Sequence, residues 1–280
     1  TVLAKLIYAA IIIVLIFTGI YIYLTFYKMK NEIKDEEYIS QLKLKFFTNI
    51  SHELRTPLTL ISGPLEFILK NEILPDKIKN AMITMKRNSD RMQRLIGDIL
   101  DFNKIQSNKM KLKIQELDIV DFVKRSAHYF DTLAQERNIT FSVKSEMPEC
   151  FLWFDPNHIE KVLFNIISNS FKYTKDGKKL CIHVSEDIDY IYIKVSDEGI
   201  GIPEEKLRCI FNRYENLVQH DINIKNSSGI GLSLAKELVE MHHGSITVKS
   251  KIGRGSTFCI KLPKELLNYS SDNEYILSDI

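Results

Sequence analysis

Apolar positions recur with three different periods along the 280 residues, and the changes of period divide the chain. Residues 6–27 are an uncharged, bulky apolar run that spans roughly 33 Å as a helix, enough to cross the hydrocarbon core of a bilayer. The run ends in Tyr21, Tyr23, Phe26 and Tyr27, which suit a membrane interface, and not in the small residues of a signal-peptide cleavage site. Lys28, Lys30 and Lys34 follow at once and direct the C-terminal side to the cytoplasm, against a weak countersignal from Lys5. A transmembrane helix over residues 1–27 is therefore expected, and the chain is read as membrane-embedded with its remainder cytoplasmic. Because Thr1 precedes the span directly, with no initiator Met, an extracytoplasmic sensory domain is expected upstream of the sequence.

Past the lysines the period becomes helical. Residues 28–45 are charged and, from Asn31 on, free of proline and glycine, suiting a helical linker that continues into Ile39, Leu42, Phe46, Ile50 and Leu54, spaced by three or four. Leu74, Pro75 and Asp76 carry a breaker and a cap, so the first helix ends near Asn71 and a second begins. Ile78, Met82, Met85, Ser89, Met92, Ile96 and Ile99 then alternate steps of four and three, a coiled-coil seam with one polar member. Two helices cannot enclose such a seam. Residues 46–107 are predicted to pair with a second copy as a four-helix bundle, a homodimer; a monomeric hairpin packed on the following domain is the alternative.

After Ser107 the pattern changes again. Leu180, Ile182 and Val184, then Ile191, Ile193 and Val195, then Phe258, Ile260 and Leu262 alternate with polar neighbours, and short connections such as Gly253–Ser256 predict antiparallel hairpins. Helices covering one face make residues 112–263 an α+β sandwich, and residues 264–280 read as a polar tail or linker without an element of its own. A net charge of +2 gives no support to direct nucleic-acid binding, and four widely spaced cysteines with no C-x-x-C pair indicate neither a zinc site nor a disulfide framework.

Candidate chemistry begins in residues 46–60, FFTNISHELRTPLTL. His52 lies about 200° around the helix from Ile50, so its ring points away from the apolar face as a usable nucleophile. Glu53 can accept an imidazole N–H and make the other ring nitrogen more nucleophilic, while Pro57 removes the N–H due to the Glu53 carbonyl and loosens the helix near His52. Further on, Asp155 and Pro156 start a helix in which Asn165, Asn169 and Lys172 form one polar stripe among buried positions. Carboxamide oxygens can bind magnesium and a lysine can offset phosphate charge. The segment SDEGIGIP places Asp197 to accept from an exocyclic amine such as that of adenine, with Gly199 and Gly201 allowing close backbone approach. Gly229 and Gly231 open another helix, whose free N–H groups suit phosphate oxygens. The polar stretch from Glu204 to Ser228 reads as a lid, anchored by Phe211, from which Arg213 can reach a terminal phosphate; a plain surface role for Arg213 is equally open.

In order, these segments resemble the phosphoacceptor box, asparagine box, first glycine box, phenylalanine box and second glycine box of bacterial sensor histidine kinases, over residues 45–263. The resemblance implies a dimerisation and phosphoacceptor domain followed by an ATP-binding domain of the histidine kinase, Hsp90 and gyrase type. It implies ATP and Mg2+ as cofactors, His52 as phosphoacceptor, Glu53 as its base or orienting group, Arg55 steadying nearby acids and phosphate, and Thr56 helping to dephosphorylate a response-regulator receiver. Asn169 is the implied magnesium ligand, with Asn165, Lys172, Tyr173, Asp197, Gly199, Gly201, Arg213, Gly229, Gly231 and Leu232 shaping the nucleotide site. The implied location is the inner (cytoplasmic) membrane, and the phosphoacceptor box is similar in style to those of hybrid sensors. Two departures stand out: Glu198 where a small polar residue is commoner, and Ser227 where glycine often begins the second glycine box. Asn165 also stands where a water-activating glutamate is expected in gyrase-type ATPases, the competing enzyme reading; a non-catalytic nucleotide-binding membrane scaffold is the third.

Overall fold

The computed structural model describes residues 2–72, 74–107, 109–212, 229–265 and 274–276, excluding the side chains of 2–16, 31–37, 40 and 274–276. They fall into two compact units, Thr1–Ile96 with Gln106–Asn108, and Gly97–Ile105 with Lys109–Ile280.

In the first unit α1 (Val2–Asn71) and the greater part of α2 (Asp76–Gln106) form the predicted hairpin. The backbone N–H groups of Ile78 and Lys79 both donate to the Pro75 carbonyl, which starts α2 where the breaker was read. α1 runs unbroken through Pro57 and Pro64. Polar contacts set the pairing of the helices: Ser89, 4% exposed, donates to the Leu58 carbonyl at 3.2 Å, and Ser62 donates to Asp90 at 3.1 Å. Lys86 bridges Asp90 and Glu66. Ile78, Met85 and Met92 of the seam, with Phe46 and Leu54 of α1, lie exposed on the single chain. Among the described residues no helix is long and apolar enough to cross a membrane; the opening part of the predicted span, residues 6–16, lies outside the described side chains.

The second unit is an α+β sandwich. Its five-stranded sheet has the order β2-β4-β5-β7-β6, from β2 (Thr140–Ser145), β4 (Lys179–Glu186), β5 (Tyr190–Asp197), β6 (Ser245–Lys251) and β7 (Gly255–Pro263). Three pairings are antiparallel as predicted, whereas β2 runs parallel to β4. A crossover makes that possible: β3 (Phe151–Phe154) and α5 (Pro156–Tyr173) lie between them in sequence. Alternation buries Leu180, Ile182, Val184, Ile191, Ile193, Val195, Phe258, Ile260 and Leu262 on one face. Against that face pack α3 (Ile119–His128), α5 and α7 (Gly231–Met241), with α4 (Asp131–Glu136) and α6 (Glu204–Leu207) as short peripheral turns. A second sheet, β3-β1-β8, joins β1 (Lys113–Asp118) to β3 and, in parallel, to β8 (Glu274–Ile276). The C-terminal stretch thus holds a strand that its polar composition did not reveal. Ile99, Phe102 and Ile105 of the last turns of α2 pack on the core of this unit, and Asp101 pairs with Lys161 of α5.

Candidate functional site

α5 begins as its sequence dictates. Asp155 caps it, accepting from the N–H groups of Asn157 at 2.9 Å and His158 at 3.2 Å, with Pro156 in the first turn. Ile159, Val162, Leu163, Ile166, Ile167 and Phe171 are buried, and between these rows Asn165, Asn169 and Lys172 form the half-buried stripe that the spacing predicts. The Lys172 ammonium lies 5.3 Å from the centre of the Tyr173 ring.

The C-terminal end of α5 is tied to the segment after β5. The Ile200 N–H donates to the Tyr173 carbonyl at 3.2 Å, bringing Tyr173, Gly199 and Asp197 together. A Cβ on Gly199 would stand 2.6 Å from that carbonyl, and one on Gly201 2.2 Å from the Lys251 carbonyl, at a φ of +73° that favours glycine in any case. Asp197 is 8% exposed, and its Oδ1 accepts from the N–H groups of Gly199 at 2.9 Å and Ser256 at 3.2 Å. Both backbone bonds fall on Oδ1. Burial pushes the Asp197 carboxyl above the usual carboxylate range, against the pull of those two N–H groups and of the neighbouring Ser170 hydroxyl. The Ser170 hydroxyl itself is buried and has no well-aligned hydrogen-bond partner among the described residues.

Gly231 opens α7 directly over the polar stripe: a Cβ there would stand 2.9 Å from Asn165 Oδ1. The asparagine stripe and the glycine-initiated helix therefore meet at one place. Leu232 packs half-buried on the core, as does Phe211 within the predicted lid, and Gly229 has a φ of +69°. Arg213, Ser227 and the remainder of the lid up to residue 228 lie outside the described residues. Glu198 has a local use: its carboxylate accepts from the Lys179 N–H at 3.1 Å, while its own N–H donates to the Lys179 carbonyl. It fastens this segment to β4.

His52, Glu53, Arg55 and Thr56 are all exposed on α1, directly after Ser51, which is 3% exposed. Among the described residues the His52 ring makes no hydrogen bond or ion pair, and Glu53 is not bonded to it, since consecutive helical positions point about 100° apart. Thr56 Oγ1 donates to the His52 carbonyl at 3.2 Å. No cluster of three or more His, Cys, Asp or Glu that could hold a metal occurs among the described residues.

Two features were not read from the sequence. Ser250 Oγ accepts from the Ile202 N–H at 2.8 Å and donates to the Gly255 carbonyl at 2.9 Å, bracing the segment after Asp197 against the β6–β7 turn. Asp155, His158 and His242 form a buried polar group behind α5 and α7, of which the sequence pattern marks Asp155 alone, as a helix cap.

Comparison with known proteins bears on both units. Residues 42–108 match the His Kinase A (phospho-acceptor) domain, and residues 154–266 match the Histidine kinase-, DNA gyrase B-, and HSP90-like ATPase domain. Histidine kinase P4 of Formosa agariphila is 37% identical over 83% of this chain and 17% of its own length. Sensor histidine kinase TmoS of Ectopseudomonas mendocina is 34% identical over 80% of this chain and 23% of its own. The chain thus spans less than a quarter of either relative. Among solved structures, full-length ShkA in complex with AMPPNP superposes with a TM-score of 0.65 at 21% identity, covering 78% of this chain and 45% of that one. Histidine kinase ThkA in complex with the response regulator protein TrrA gives 0.55 at 21% identity, over 82% of this chain and 66% of that one.

Proposed function

We propose that this chain, a member of the histidine kinase family through both of its domains, transfers the γ-phosphoryl group of ATP to His52 and from there to an aspartate of a response-regulator receiver domain. The observation that carries the reading is the presence in one chain of an exposed, unbonded His52 ring and of an α5 that meets the Gly231 helix start at Asn165 and the segment after Asp197 at Tyr173.

Asp197 Oδ2 accepts the exocyclic amine of adenine, a role that fits a buried carboxylate whose other oxygen is already committed to backbone. Lys172 and the N–H groups at the start of α7 face phosphate oxygens. Asn169, with Asn165 beside it, holds magnesium through carboxamide oxygen. The absence of a carboxylate cluster among the described residues fits an ion whose other ligands are phosphate and water. Magnesium, when bound, neutralises charge on the transferring phosphoryl group. His52 supplies the attacking nitrogen, Glu53 takes or orients its proton once its exposed side chain has turned towards the ring, and Arg55 steadies the acids and phosphate around them. Thr56, one turn past Glu53, orients water for dephosphorylation of the receiver.

The chain acts as a homodimer, supported by the exposed seam of Ile78, Met85 and Met92. It is anchored in the inner membrane by residues 6–27, supported by their uncharged composition, by the lysines that follow, and by a helix that continues to His52. A gyrase-type ATPase is disfavoured by Asn165 at the position of the water-activating glutamate.

The test is labelling with γ-labelled ATP. His52→Gln should abolish acid-labile incorporation and leave nucleotide binding intact; undiminished label would refute the phosphoacceptor assignment. Asn169→Ala should remove magnesium-dependent labelling, and unchanged activity would end its metal role.

A further inference from the structure

His242 ends α7, buried to 1% exposure, and its hydrogen bonds fix its state. Nε2 accepts the backbone N–H of Asp155 at 3.0 Å, so the ring is neutral with its proton on Nδ1, which donates to the Leu238 carbonyl at 2.7 Å. Asp155, 2% exposed, uses Oδ1 to cap α5 and Oδ2 to accept the Lys113 N–H of β1 at 2.7 Å, with His158 Nδ1 3.1 Å from the same oxygen. One buried polar group thus joins the end of α7, the start of α5 and the start of β1.

This group sits at the far end of the two helices that meet over the nucleotide pocket. Asn165 lies ten residues after Asp155, and His242 lies eleven after Gly231. At the helical rise these are about 15 Å and about 16 Å, so the helices span nearly the same length in opposite senses. They touch at both ends: Asn165 against Gly231 at the pocket, and Asp155 against His242 behind it. α5 and α7 also pack on one another between these points. Interiors are close-packed and transmit small shifts, so a change at the rear contact displaces the front one.

We propose that His242 is a positioning residue for nucleotide binding, holding α7 in register on α5 so that Gly231 and the phosphate-facing N–H groups stand at the right depth over Asn165 and Asn169. The role rests on the nucleotide site proposed above. Its chemistry requires one acceptor facing the Asp155 N–H and one donor facing the Leu238 carbonyl, on a side chain of imidazole length. Glutamine can supply both. Asparagine is one methylene shorter, and phenylalanine fills the space with neither.

The full chain is tested by autophosphorylation over a range of ATP concentrations, with circular dichroism to establish folding. His242→Phe and His242→Asn should raise KM for ATP about tenfold with a smaller change in kcat, while His242→Gln stays within about threefold of the parent. A role confined to stability would lower the melting temperature and leave KM of the folded protein unchanged. A parental KM in folded His242→Phe, equal KM values for the Gln and Asn variants, or failure of His242→Gln to fold would each overturn the proposal. Absence of ATP-dependent labelling in the parent chain would instead refute the nucleotide reading beneath it.

Discussion

The carboxamide oxygen of Asn165 lies 2.9 Å from the point that a Cβ on Gly231 would occupy. Alanine at the start of α7 is a better helix former than glycine, by at most about 1 kcal/mol, so Gly231→Ala should leave folding stability within that margin. The added carbon nevertheless pushes the carboxamide out of its place. Affinity for an ATP analogue should fall about tenfold, measurable by calorimetry; affinity retained at the parental level would show that Asn165 yields without consequence.

Asp197 poses the opposite balance. Burial raises its carboxyl pKa above the ordinary value, so ionisation is disfavoured by folding. Its favourable contribution is present below the unfolded pKa and is lost as pH rises through the folded one. Asp197→Asn retains an oxygen to accept from Gly199 and Ser256 and removes the buried charge. The unliganded variant should melt at the same or a higher temperature at neutral pH, and the melting-temperature increase produced by an ATP analogue should disappear. A parental increase would exclude the adenine role.

Acid should weaken the second unit through His242. Burial lowers its pKa from 6.5 to about 4, aided by the nearby His158 and His243 and opposed by the Leu238 carbonyl and by Asp155. Since the folded state holds the ring neutral, this stabilisation is complete above pH 6.5 and is lost progressively towards pH 4. It amounts to about 3 kcal/mol. Urea unfolding at pH 7, 5.5 and 4 should show that slope in the parent chain, and His242→Gln should remove most of it.

The seam gives an association prediction. Glutamate at both Met85 and Met92, each more than half exposed on the single chain, should leave helix content unchanged and weaken self-association about a hundredfold through like-charge repulsion across a dimer interface. Sedimentation equilibrium of the detergent-solubilised chain measures this. Parental association would place the contact on another face.

The helical hairpin was legible because its periodicity and the Pro75 break are local, and α5 because its cap, proline and apolar rows all agree. The alternating strands β4, β5 and β7 were legible for the same reason. What sequence could not supply is pairing at a distance. The parallel β2–β4 ladder follows from a crossover, the β1–β8 pair joins residues far apart in the chain, and the Asp155–His242 bond joins two positions each of which looks ordinary alone. At the site, Asn165, Asn169, Asp197 and the glycines were found through their chemistry and order. The Glu53–His52 hydrogen bond was not formed, because adjacency in sequence is not adjacency on a helix.

Val2–Asn71 is one helix, about 105 Å long at the helical rise. Such a rod has no joint, so a twist or thrust applied at one end reaches the other as a twist or thrust. Its stiffness is nonetheless uneven. Pro57 deprives the Glu53 carbonyl of its usual partner, and Pro64 does the same for Leu60, so the softest part of the rod begins one residue past His52. The stretch of α1 that lacks two of its internal hydrogen bonds therefore lies directly beside the exposed imidazole of His52.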